Sequence, residues 1–331
     1  MNEGAARVLD ALRRAGRDGC SGEDLSKELG VSRTAVWKHV EALRKRGYRI
    51  EGAAGDGYTL AGIPDRLYPE ELQDGDRRWL GRVVQYLEET DSTNRVAFEL
   101  ARDGAPSGTA VVAERQTAGR GRLGRSFFSP AHCNLYTSIV LRPDLTIAEA
   151  PTLILAAAIG VAETVAATLD APERVEIKWP NDVLIDGLKT SGILMEMNAE
   201  ATKVGFAILG IGVNLNVDRE AFPDEFRERA TSLSAASGSR IDRIVFTRAL
   251  YGTLEDVLDV HQRSGFSALR ARFDPWFRMP GREIEVHGHG DGPLVGTALG
   301  IAADGALRVQ RADGTVERVI AGDVSLSGSP A

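Results

Sequence analysis

Hydrophobic residues recur at helical spacing along the first part of the chain. Residues 5–12 and 25–29 each place their apolar positions on one face of a helix. Ser32 is positioned to cap a third helix, in which apolar residues at i, i+4 and i+7 from Val36 form one stripe. Residues 48–60 then alternate apolar and polar around a glycine-rich turn, which is typical of a two-stranded wing. The pattern predicts a winged helix-turn-helix.

The other faces of the third helix carry polar and basic side chains. Between Arg33 and Arg49, the basic residues are opposed only by Glu41. Although the net charge of the chain is −7, residues 1–60 hold 11 Lys and Arg against 9 Asp and Glu. A basic segment on an acidic protein favours DNA as its partner, and docking on a neighbouring domain is the alternative. The candidate DNA contacts are Ser32, Arg33, Thr34, Trp37 and Lys38.

Strand and helix patterns are mixed in the middle of the chain. Helical periodicity covers residues 95–102 and 152–169, and a longer amphipathic helix follows at 244–258. Asp186 and Gly187 separate two apolar runs and predict a hairpin, so the sheet is partly antiparallel and a doubly wound parallel sheet is disfavoured. The predicted class is α+β. Apolar runs predict strands at 109–113, 135–141, 175–179, 183–185, 193–197 and 204–209.

Short alternating segments follow Arg282 and predict a small barrel of five strands. The length of 331 residues exceeds what one hydrophobic core usually serves, so we expect several domains. We divide the chain into a winged helix at 1–62, a linker at 63–82, a central mixed-sheet domain at 83–278 and a C-terminal barrel at 279–331.

The composition, 43% hydrophobic and 26% charged, is ordinary for a folded protein. The longest apolar run, residues 153–162, is too short to span a bilayer, and no secretory signal is visible. We therefore expect a cytoplasmic protein without a membrane partner. Cys20 and Cys133 are isolated, which predicts reduced thiols rather than a disulfide or a zinc site. No metal site is predicted from the spacing of ligand residues.

Glycine and arginine are concentrated in the segment 114–130. Gly119, Gly121 and Gly124 satisfy a G-x-G-x-x-G spacing, but a strand follows instead of the helix that a dinucleotide-binding turn requires. Glycine lets backbone N–H groups approach a ligand, and arginine supplies positive charge. The loop is therefore a candidate cradle for a phosphate or a carboxylate, and a solvated basic loop is the alternative. Its arginines are Arg120, Arg122 and Arg125.

Two further segments carry candidate chemistry at the ends of predicted elements. DSTN, residues 91–94, precedes a predicted helix, where its side chains would cap the helix or bind a polar ligand. KWPND, residues 178–182, places a cation, an aromatic ring, an amide and a carboxylate together at the end of a strand. Lys189 follows on the returning arm of the predicted hairpin.

Taken together, these segments resemble the biotin protein ligases. The match in order and spacing comprises DSTN, GRGRLGR behind Gln116, KWPND and the later LGIGVNLN at 209–216. The winged helix in front is similar to the bifunctional class, biotin protein ligase and biotin operon repressor. The resemblance implies a winged helix, a catalytic domain of the biotin/lipoate ligase type and an SH3-like barrel. It also implies two steps: biotin and ATP give biotinyl-5'-AMP and pyrophosphate, and a lysine of a biotin carboxyl carrier domain then takes the biotin.

Roles for individual residues follow from the resemblance. No protein nucleophile is required, since clustered cations that bring the biotin carboxylate to the triphosphate are what the first step needs. The implied catalytic residues are Arg120, Arg122, Lys178, Lys189 and Asp182, the last helping to deprotonate the acceptor lysine. The implied biotin and adenylate contacts are Ser92, Thr93, Asn94, Gln116, Gly119, Arg120, Gly121, Arg122, Asn181, Lys189, Gly210 and Gly212, of which the last two would leave room for the bicyclic ring.

Substrates and partners are implied in the same way. The substrates are biotin and ATP, and Mg²⁺ is expected with ATP although no dedicated ligand set is visible. The partners are the biotin carboxyl carrier domain of acetyl-CoA carboxylase, operator DNA of the biotin genes, and a second copy of the chain when biotinyl-5'-AMP is bound. Leu188 departs from the family pattern, because many relatives carry a basic residue just before the lysine that matches Lys189.

Three alternatives of different classes stay open at this point. A lipoate protein ligase shares the general fold, but its basic, glycine-containing signature differs from GRGRLGR. A ligand-sensing repressor without catalysis needs no phosphate loop or KWPND segment. A single-function ligase whose winged helix does not bind DNA fits the sequence closely.

Overall fold

The computed structural model describes residues 1–53, 57–73, 75–288 and 292–326, in two compact units that divide after Arg66. In the first unit β1 and β2 pair antiparallel behind three helices, which confirms the predicted winged helix-turn-helix. The tip of the wing lies outside the described residues. The elements of this unit are α1 (Glu3–Ala15), α2 (Gly22–Leu29), α3 (Arg33–Lys45), β1 (Arg49–Ala53) and β2 (Gly57–Gly62).

A side-chain cap sets the start of α3. The backbone N–H of Ala35 donates to Ser32 Oγ at 3.2 Å, an interaction that stabilises a helix by about 1 kcal/mol. Val36, Val40 and Leu43 are fully buried, as the apolar stripe predicts. The remaining faces of α3 are therefore left for contact with solvent or a partner.

The second unit begins with a segment that packs into its own core. A short helix, α4 (Pro69–Leu72), follows Leu67, and the side chains of Leu67, Leu72 and Leu80 are fully buried. Of the segment expected as a linker, 63–82, the part from Leu67 onward thus belongs to the second unit. Its apolar residues are widely spaced among charged ones, yet each fills a site in the core.

A seven-stranded mixed sheet forms the centre of the second unit. Its strands are β3 (Val84–Thr90), β4 (Ala110–Gln116), β5 (Leu135–Leu141), β6 (Val175–Lys178), β7 (Asp182–Ile185), β8 (Leu188–Glu200) and β9 (Lys203–Val213). They lie in the order 3-4-5-9-8-7-6; β3 and β4 are parallel, and every other neighbouring pair is antiparallel. The predicted hairpin joins β7 to β8, and Asp186 and Gly187 both have the positive φ that such a tight turn requires, 50° and 79°.

Helices cover both faces of this sheet. On β4, Val112 packs in the core shared with α6 and α9, whereas the next residue back, Val111, packs against α5. α6 is long and apolar enough to cross a membrane, with a mean hydropathy of 1.9, but 72% of its apolar window is buried inside the protein. The helices are α5 (Thr93–Arg102), α6 (Pro151–Leu169), α7 (Asp224–Arg227), α8 (Leu233–Ser237), α9 (Arg243–Ser264) and α10 (Arg270–Phe273).

Five short antiparallel strands follow, in the order 13-12-11-10-14. Their bounds are β10 (Glu283–His287), β11 (Leu294–Ile301), β12 (Leu307–Gln310), β13 (Val316–Val319) and β14 (Asp323–Leu326). The number and antiparallel arrangement of the strands agree with the expected SH3-like domain. Within the described residues, 283–288 and 292–326, the sheet does not close into a barrel. After β13 the chain crosses the sheet, and β14 pairs with the free edge of β10 instead of with β13.

Candidate active site

One cavity of about 820 Å³ in the second unit gathers the segments that the sequence singles out. This volume suits a small-molecule ligand. All of the candidate catalytic and ligand-binding residues line it except Gly119, which lies in the loop behind. The cavity has two contrasting sides, a neutral hydrogen-bonded wall and a cationic loop.

The neutral side, which we call the polar wall, consists of Thr93, Asn94 and Gln116, which line the cavity, and of the fully buried Ser138, which contacts two of them. The backbone N–H and the hydroxyl of Thr93 both donate to Gln116 Oε1, at 2.9 and 3.1 Å. Gln116 Nε2 in turn donates to Ser129 Oγ at 3.1 Å. Strand β4 therefore presents Gln116 to the first turn of α5, and each partner limits the rotation of the other.

Ser92 occupies the position before the first turn of α5. It is almost completely buried, and its side chain makes no capping hydrogen bond to the helix. The capping role that DSTN could have played is therefore not used at this residue. Its hydroxyl lies at the edge of the cavity and is free to contact a ligand.

The amide of Asn94 is fixed on both sides. Ser138 Oγ donates to Asn94 Oδ1 at 2.6 Å, and Asn94 Nδ2 donates to Glu196 Oε2 at 2.8 Å. A Cβ atom at Gly210 would lie 2.1 Å from Asn94 Oδ1, so only glycine fits there. Gly210 thus makes room for this side chain, and Gly212 does the same for Phe127, whose ring would meet a Cβ at 2.6 Å.

The cationic side, which we call the arginine loop, spans residues 119–127. The loop closes on itself, since Phe127 N donates to Gly119 O at 2.9 Å and Gly121 N donates to Arg125 O at 2.7 Å. At its tip Leu123 and Gly124 have φ values of 55° and 74°. A Cβ at Gly119 would lie 2.6 Å from the Phe127 carbonyl oxygen, so the glycine permits the crossing of the two arms.

Each arginine of this loop faces a carboxylate from another element. Arg120 Nη1 lies 3.5 Å from Glu196 Oε1 on β8. Arg125 Nη2 lies 2.6 Å from Asp323 Oδ2 on β14, and Arg122 Nη1 is 3.7 Å from Oδ1 of the same aspartate. Although much of the loop is exposed, protein carboxylates lie beside all three guanidinium groups.

Arg122 is the most deeply placed of the three arginines. Its side chain is 18% exposed, compared with 52% for Arg120 and 70% for Arg125. Nη1 donates to Asn181 Oδ1 at 3.2 Å, which connects the loop to KWPND. Burial lowers the pKa of the Arg122 guanidinium, and Asp323 opposes that effect.

KWPND splits into structural and cavity-facing residues. Trp179 is buried, and its Nε1 donates at 3.0 Å to the carbonyl oxygen of Gly305, in the turn between β11 and β12. Lys178 faces the cavity, where burial lowers the pKa of its ammonium group, Asp182 raises it and Lys189 lowers it further. An anion that binds in the cavity would therefore stabilise the charged form of Lys178.

Asp182 and Lys189 form an ion pair across the hairpin. Asp182 Oδ1 lies 2.7 Å from Lys189 Nζ. The backbone of Lys189 is held as well, because its N–H donates to Arg229 O at 2.8 Å and its carbonyl accepts from Thr231 N at 2.9 Å. The partner of Asp182 is thus Lys189, and the ion pair orients the lysine toward the cavity.

Sequence reasoning missed three residues of the site. Glu196 and Asp323 contact the arginine loop from distant strands, and no motif contains them. Ser138 could have been predicted, because a serine in the buried, mainly apolar strand LYTSIVL needs a hydrogen-bond partner. In the ranges that the structure describes, no group of three His, Cys, Asp or Glu side chains is placed to hold a metal ion.

The predicted DNA contacts lie on the exposed part of α3 in the first unit. Arg33, Thr34, Trp37 and Lys38 are all exposed, and 46% of Trp37 is accessible. Ser32 is exposed too, although its hydroxyl oxygen caps the helix. The guanidinium of Arg33 pairs with Glu23 of α2.

Family models match the chain in three places. Residues 86–214 match the biotin/lipoate A/B protein ligase family, residues 5–59 match an HTH domain, and residues 281–327 match the biotin protein ligase C terminal domain.

Individual relatives extend the match to nearly the whole chain. The chain is 38% identical to the bifunctional ligase/repressor BirA of Bacillus spizizenii, over 96% of this chain and 97% of that protein. It is 32% identical to the bifunctional ligase/repressor BirA of Escherichia coli, over 92% of each.

A solved structure supports the same family assignment. Biotin protein ligase from Aquifex aeolicus in complex with biotin and ATP superposes with a TM-score of 0.63, at 29% identity, over 75% of this chain and 100% of that one. The chain therefore belongs to the biotin protein ligase family, in the bifunctional ligase/repressor group that carries an N-terminal HTH domain.

Proposed function

We propose that this chain is a biotin–[acetyl-CoA-carboxylase] ligase that also represses the biotin operon. The observation that carries the catalytic part is the junction of two chemically different sides in one cavity. The polar wall suits a neutral, hydrogen-bonding head group, and the arginine loop with Lys178 and Lys189 suits anions. Biotin joined to AMP has this polarity, because its urea ring is neutral and its other end becomes an acyl phosphate.

In the first step, an oxygen of the biotin carboxylate attacks the α-phosphorus of ATP, and pyrophosphate leaves. Two anions must approach each other, so positive groups that are already in place lower the barrier. Arg120 and Arg122 are on the loop, and Lys178 and Lys189 lie at the ends of the β6 and β8 strands. When the phosphates arrive, these cations exchange their protein carboxylates for phosphate oxygens.

In the second step, the amine of an acceptor lysine attacks the acyl carbon, and AMP leaves with the C–O bond electrons. The amine must lose a proton, and we propose that Asp182 accepts it. Lys189 Nζ lies 2.7 Å from Asp182 Oδ1. Transfer of Lys189 to the adenylate would free the carboxylate at the place where the amine enters. The acceptor is the lysine of the biotin carboxyl carrier domain of acetyl-CoA carboxylase.

The remaining binding roles are distributed along the cavity. Thr93, Asn94 and Gln116 of the polar wall, together with Ser92, hold the urea ring. Gly121 and Asn181 border the anionic end, and Gly119 lets the loop close. Gly210 and Gly212 act indirectly, through Asn94 and Phe127. We expect Mg²⁺ to enter with ATP as part of that substrate.

The repressor function rests on the first unit. A single winged helix has few phosphate contacts, and outside residues 1–60 the chain has an excess of acidic over basic residues, 38 against 29. A single copy therefore binds DNA weakly at physiological salt. We propose that two copies with bound biotinyl-5'-AMP pair and place their α3 helices on the two halves of a symmetric operator. The protein acts in the cytoplasm, and we propose no membrane partner.

A direct assay tests the catalytic proposal. Purified chain incubated with biotin, Mg²⁺ and ATP but no acceptor is expected to form biotinyl-5'-AMP, detected by mass spectrometry. Addition of a biotin carboxyl carrier domain is then expected to consume the adenylate and add the mass of biotin to the carrier. Lipoate in place of biotin is the matched control. Absence of the adenylate, or equal use of lipoate, would contradict the proposal.

A single-function ligase with a silent winged helix is the second candidate. It is favoured by the engagement of Arg33 with Glu23 within the first unit, which competes with a DNA phosphate. A gel shift with the upstream region of the biotin genes separates the two candidates. Retardation that depends on biotin and ATP supports the repressor, and no retardation supports the silent module.

A further inference from the structure

A single carboxylate connects the polar wall to the arginine loop. Glu196 Oε2 accepts from Asn94 Nδ2 at 2.8 Å, while Oε1 of the same side chain lies 3.5 Å from Arg120 Nη1. Asn94 belongs to the polar wall and Arg120 to the arginine loop, and both residues line the cavity described above. Glu196 therefore touches both the residue proposed for the head group and the residue proposed for the anion.

We propose that Glu196 is a positioning residue of the ligase, which sets the orientation of the Asn94 amide for the head group of biotin and holds Arg120 near the reacting carboxylate. This inference rests on the proposed function, because the roles of Asn94 and Arg120 belong to it. Glu196 itself does not need to touch the substrate.

The orientation of the amide follows from hydrogen-bond capacity. A carboxylate only accepts hydrogen bonds, so the NH₂ group of Asn94 must face Glu196. The carbonyl oxygen then faces Ser138, whose hydroxyl donates to it at 2.6 Å. A flipped amide would bring its oxygen against the carboxylate and lose that contact, although its NH₂ group could still donate to Ser138 Oγ. Glu196, together with the carbonyl oxygen of Leu194 at 3.4 Å from Asn94 Nδ2, thus selects one of two orientations that have the same shape.

That choice is transmitted along the polar wall. The Ser138 hydroxyl also lies 2.8 Å from Thr93 Oγ1, but it has a single proton. When the proton is given to the Asn94 carbonyl, it is not available to Thr93, whose own hydroxyl donates to Gln116 Oε1. The hydrogen-bonding atoms of Asn94 are then fixed, with its carbonyl oxygen facing Ser138 and its NH₂ group facing Glu196. A cyclic urea has two N–H donors and one carbonyl acceptor. A wall whose donors and acceptors are fixed can match that pattern, whereas a wall in the other orientation leaves buried groups unpaired.

The contact with Arg120 is looser than the contact with Asn94. Arg120 is 52% exposed and Glu196 33%, and exposed ion pairs contribute little to stability. Arg120 can therefore leave Glu196 when a substrate anion enters. We expect the loss of the charge to affect biotin binding, through Asn94, more than the rate of the chemical step.

The test is the Glu196→Gln substitution, assayed by adenylate formation with biotin varied and ATP saturating. A glutamine keeps the shape but has one acceptor oxygen instead of two and no charge, so it cannot present an acceptor to Asn94 and to Arg120 at the same time. We expect the KM for biotin to rise by about tenfold, the size of losing one hydrogen bond to a charged group, with a smaller change in kcat. Glu200→Gln, the same substitution on an exposed residue of the same strand, is the control and is expected to leave both values unchanged.

A double-mutant cycle distinguishes positioning from a structural effect. If Glu196 acts through Asn94, E196Q adds less than about twofold to KM in the Asn94→Ala background, because coupled residues are not additive. Equal effects of E196Q in both backgrounds, or a wild-type KM in E196Q alone, would overturn the inference. Failure of the wild-type chain to make adenylate would instead overturn the proposed function. If E196Q melts before it can be assayed, Glu196→Met, of similar length and without charge, replaces it under the same expectations.

Discussion

The polar wall and the arginine loop differ in their side chains and in the part of the substrate that each is proposed to bind. The wall is built on α5, β4 and β5, its side chains are neutral, and each hydrogen bond fixes the next. The loop is anchored by its own backbone, and its guanidinium groups are paired with carboxylates that a substrate anion can replace. The comparison suggests that recognition of the unreactive head group relies on rigid elements, whereas the reacting groups are met by charges that exchange partners.

The loop side is expected to give the largest effect. Arg120→Ala and Lys189→Ala should each lower the rate of adenylate synthesis by about 10² or more, because each removes a positioned charge that stabilises the transition state. Single-turnover measurements at saturating biotin and ATP check this. Lys203→Ala, which removes an exposed cation far along the sheet hairpin, is the control. Wild-type rates in both site variants would remove the catalytic assignment from the loop and the lysine.

The wall side should instead change substrate affinity. Asn94→Ala is expected to raise the KM for biotin by about tenfold or more while kcat changes less, since a binding contact present before and during the reaction is lost. Steady-state kinetics with biotin as the varied substrate provide the measurement. A drop in kcat at constant KM would contradict the division of labour between the two sides.

The exchange of carboxylates predicts how the loop responds to ligands. Trypsin cleavage at the loop arginines should slow several-fold when biotin and ATP are added, because the glycine-rich segment becomes ordered around the anion. Asp323→Asn should speed cleavage in the empty enzyme, since it removes the charge that faces Arg122 and Arg125. Mass spectrometry of the fragments identifies the cut sites. Cleavage that is indifferent to both ligand and substitution would show that the carboxylates do not hold the loop.

The exposed cations of α3 extend the comparison to a third anion site, where the smallest effects are expected. Arg33→Ala and Lys38→Ala should each weaken operator binding only a few-fold and reduce the slope of log affinity against log salt by about one, as for single phosphate contacts. Gel shifts at several salt concentrations, with biotin and ATP present, measure this. Lys27→Ala on α2 is the matched control, because Lys27 is exposed and, like Arg33, pairs with Glu23.

Sequence reasoning located the parts of the site that lie within short segments. Arg120 and Arg122 are predicted from the local concentration of charge and glycine, and Lys189 from the family resemblance. Periodicity predicts the winged helix, and Asp186 and Gly187 between two apolar runs predict the β7–β8 hairpin. Glu196 and Asp323 are not predicted, since their partners lie far away in sequence and a lone carboxylate on a strand carries no pattern. β3 was also missed: in VQYLEET the polar residues are too many for an edge strand to stand out. The barrel was expected to close because strand count does not reveal which edge β14 will join.

The hydrogen bond from Trp179 Nε1 to Gly305 also limits where such a chain can be truncated or recombined with another chain. KWPND belongs to the central sheet, yet the hydrogen-bond partner of its tryptophan is in the turn between β11 and β12. The arginine loop likewise pairs with Asp323 of β14. The C-terminal segment therefore cannot be deleted, or exchanged for that of another chain, without loss of these contacts. A recombination event at residue 280 would have to bring matching partners for the tryptophan and for both arginines, so the two segments are expected to be inherited together.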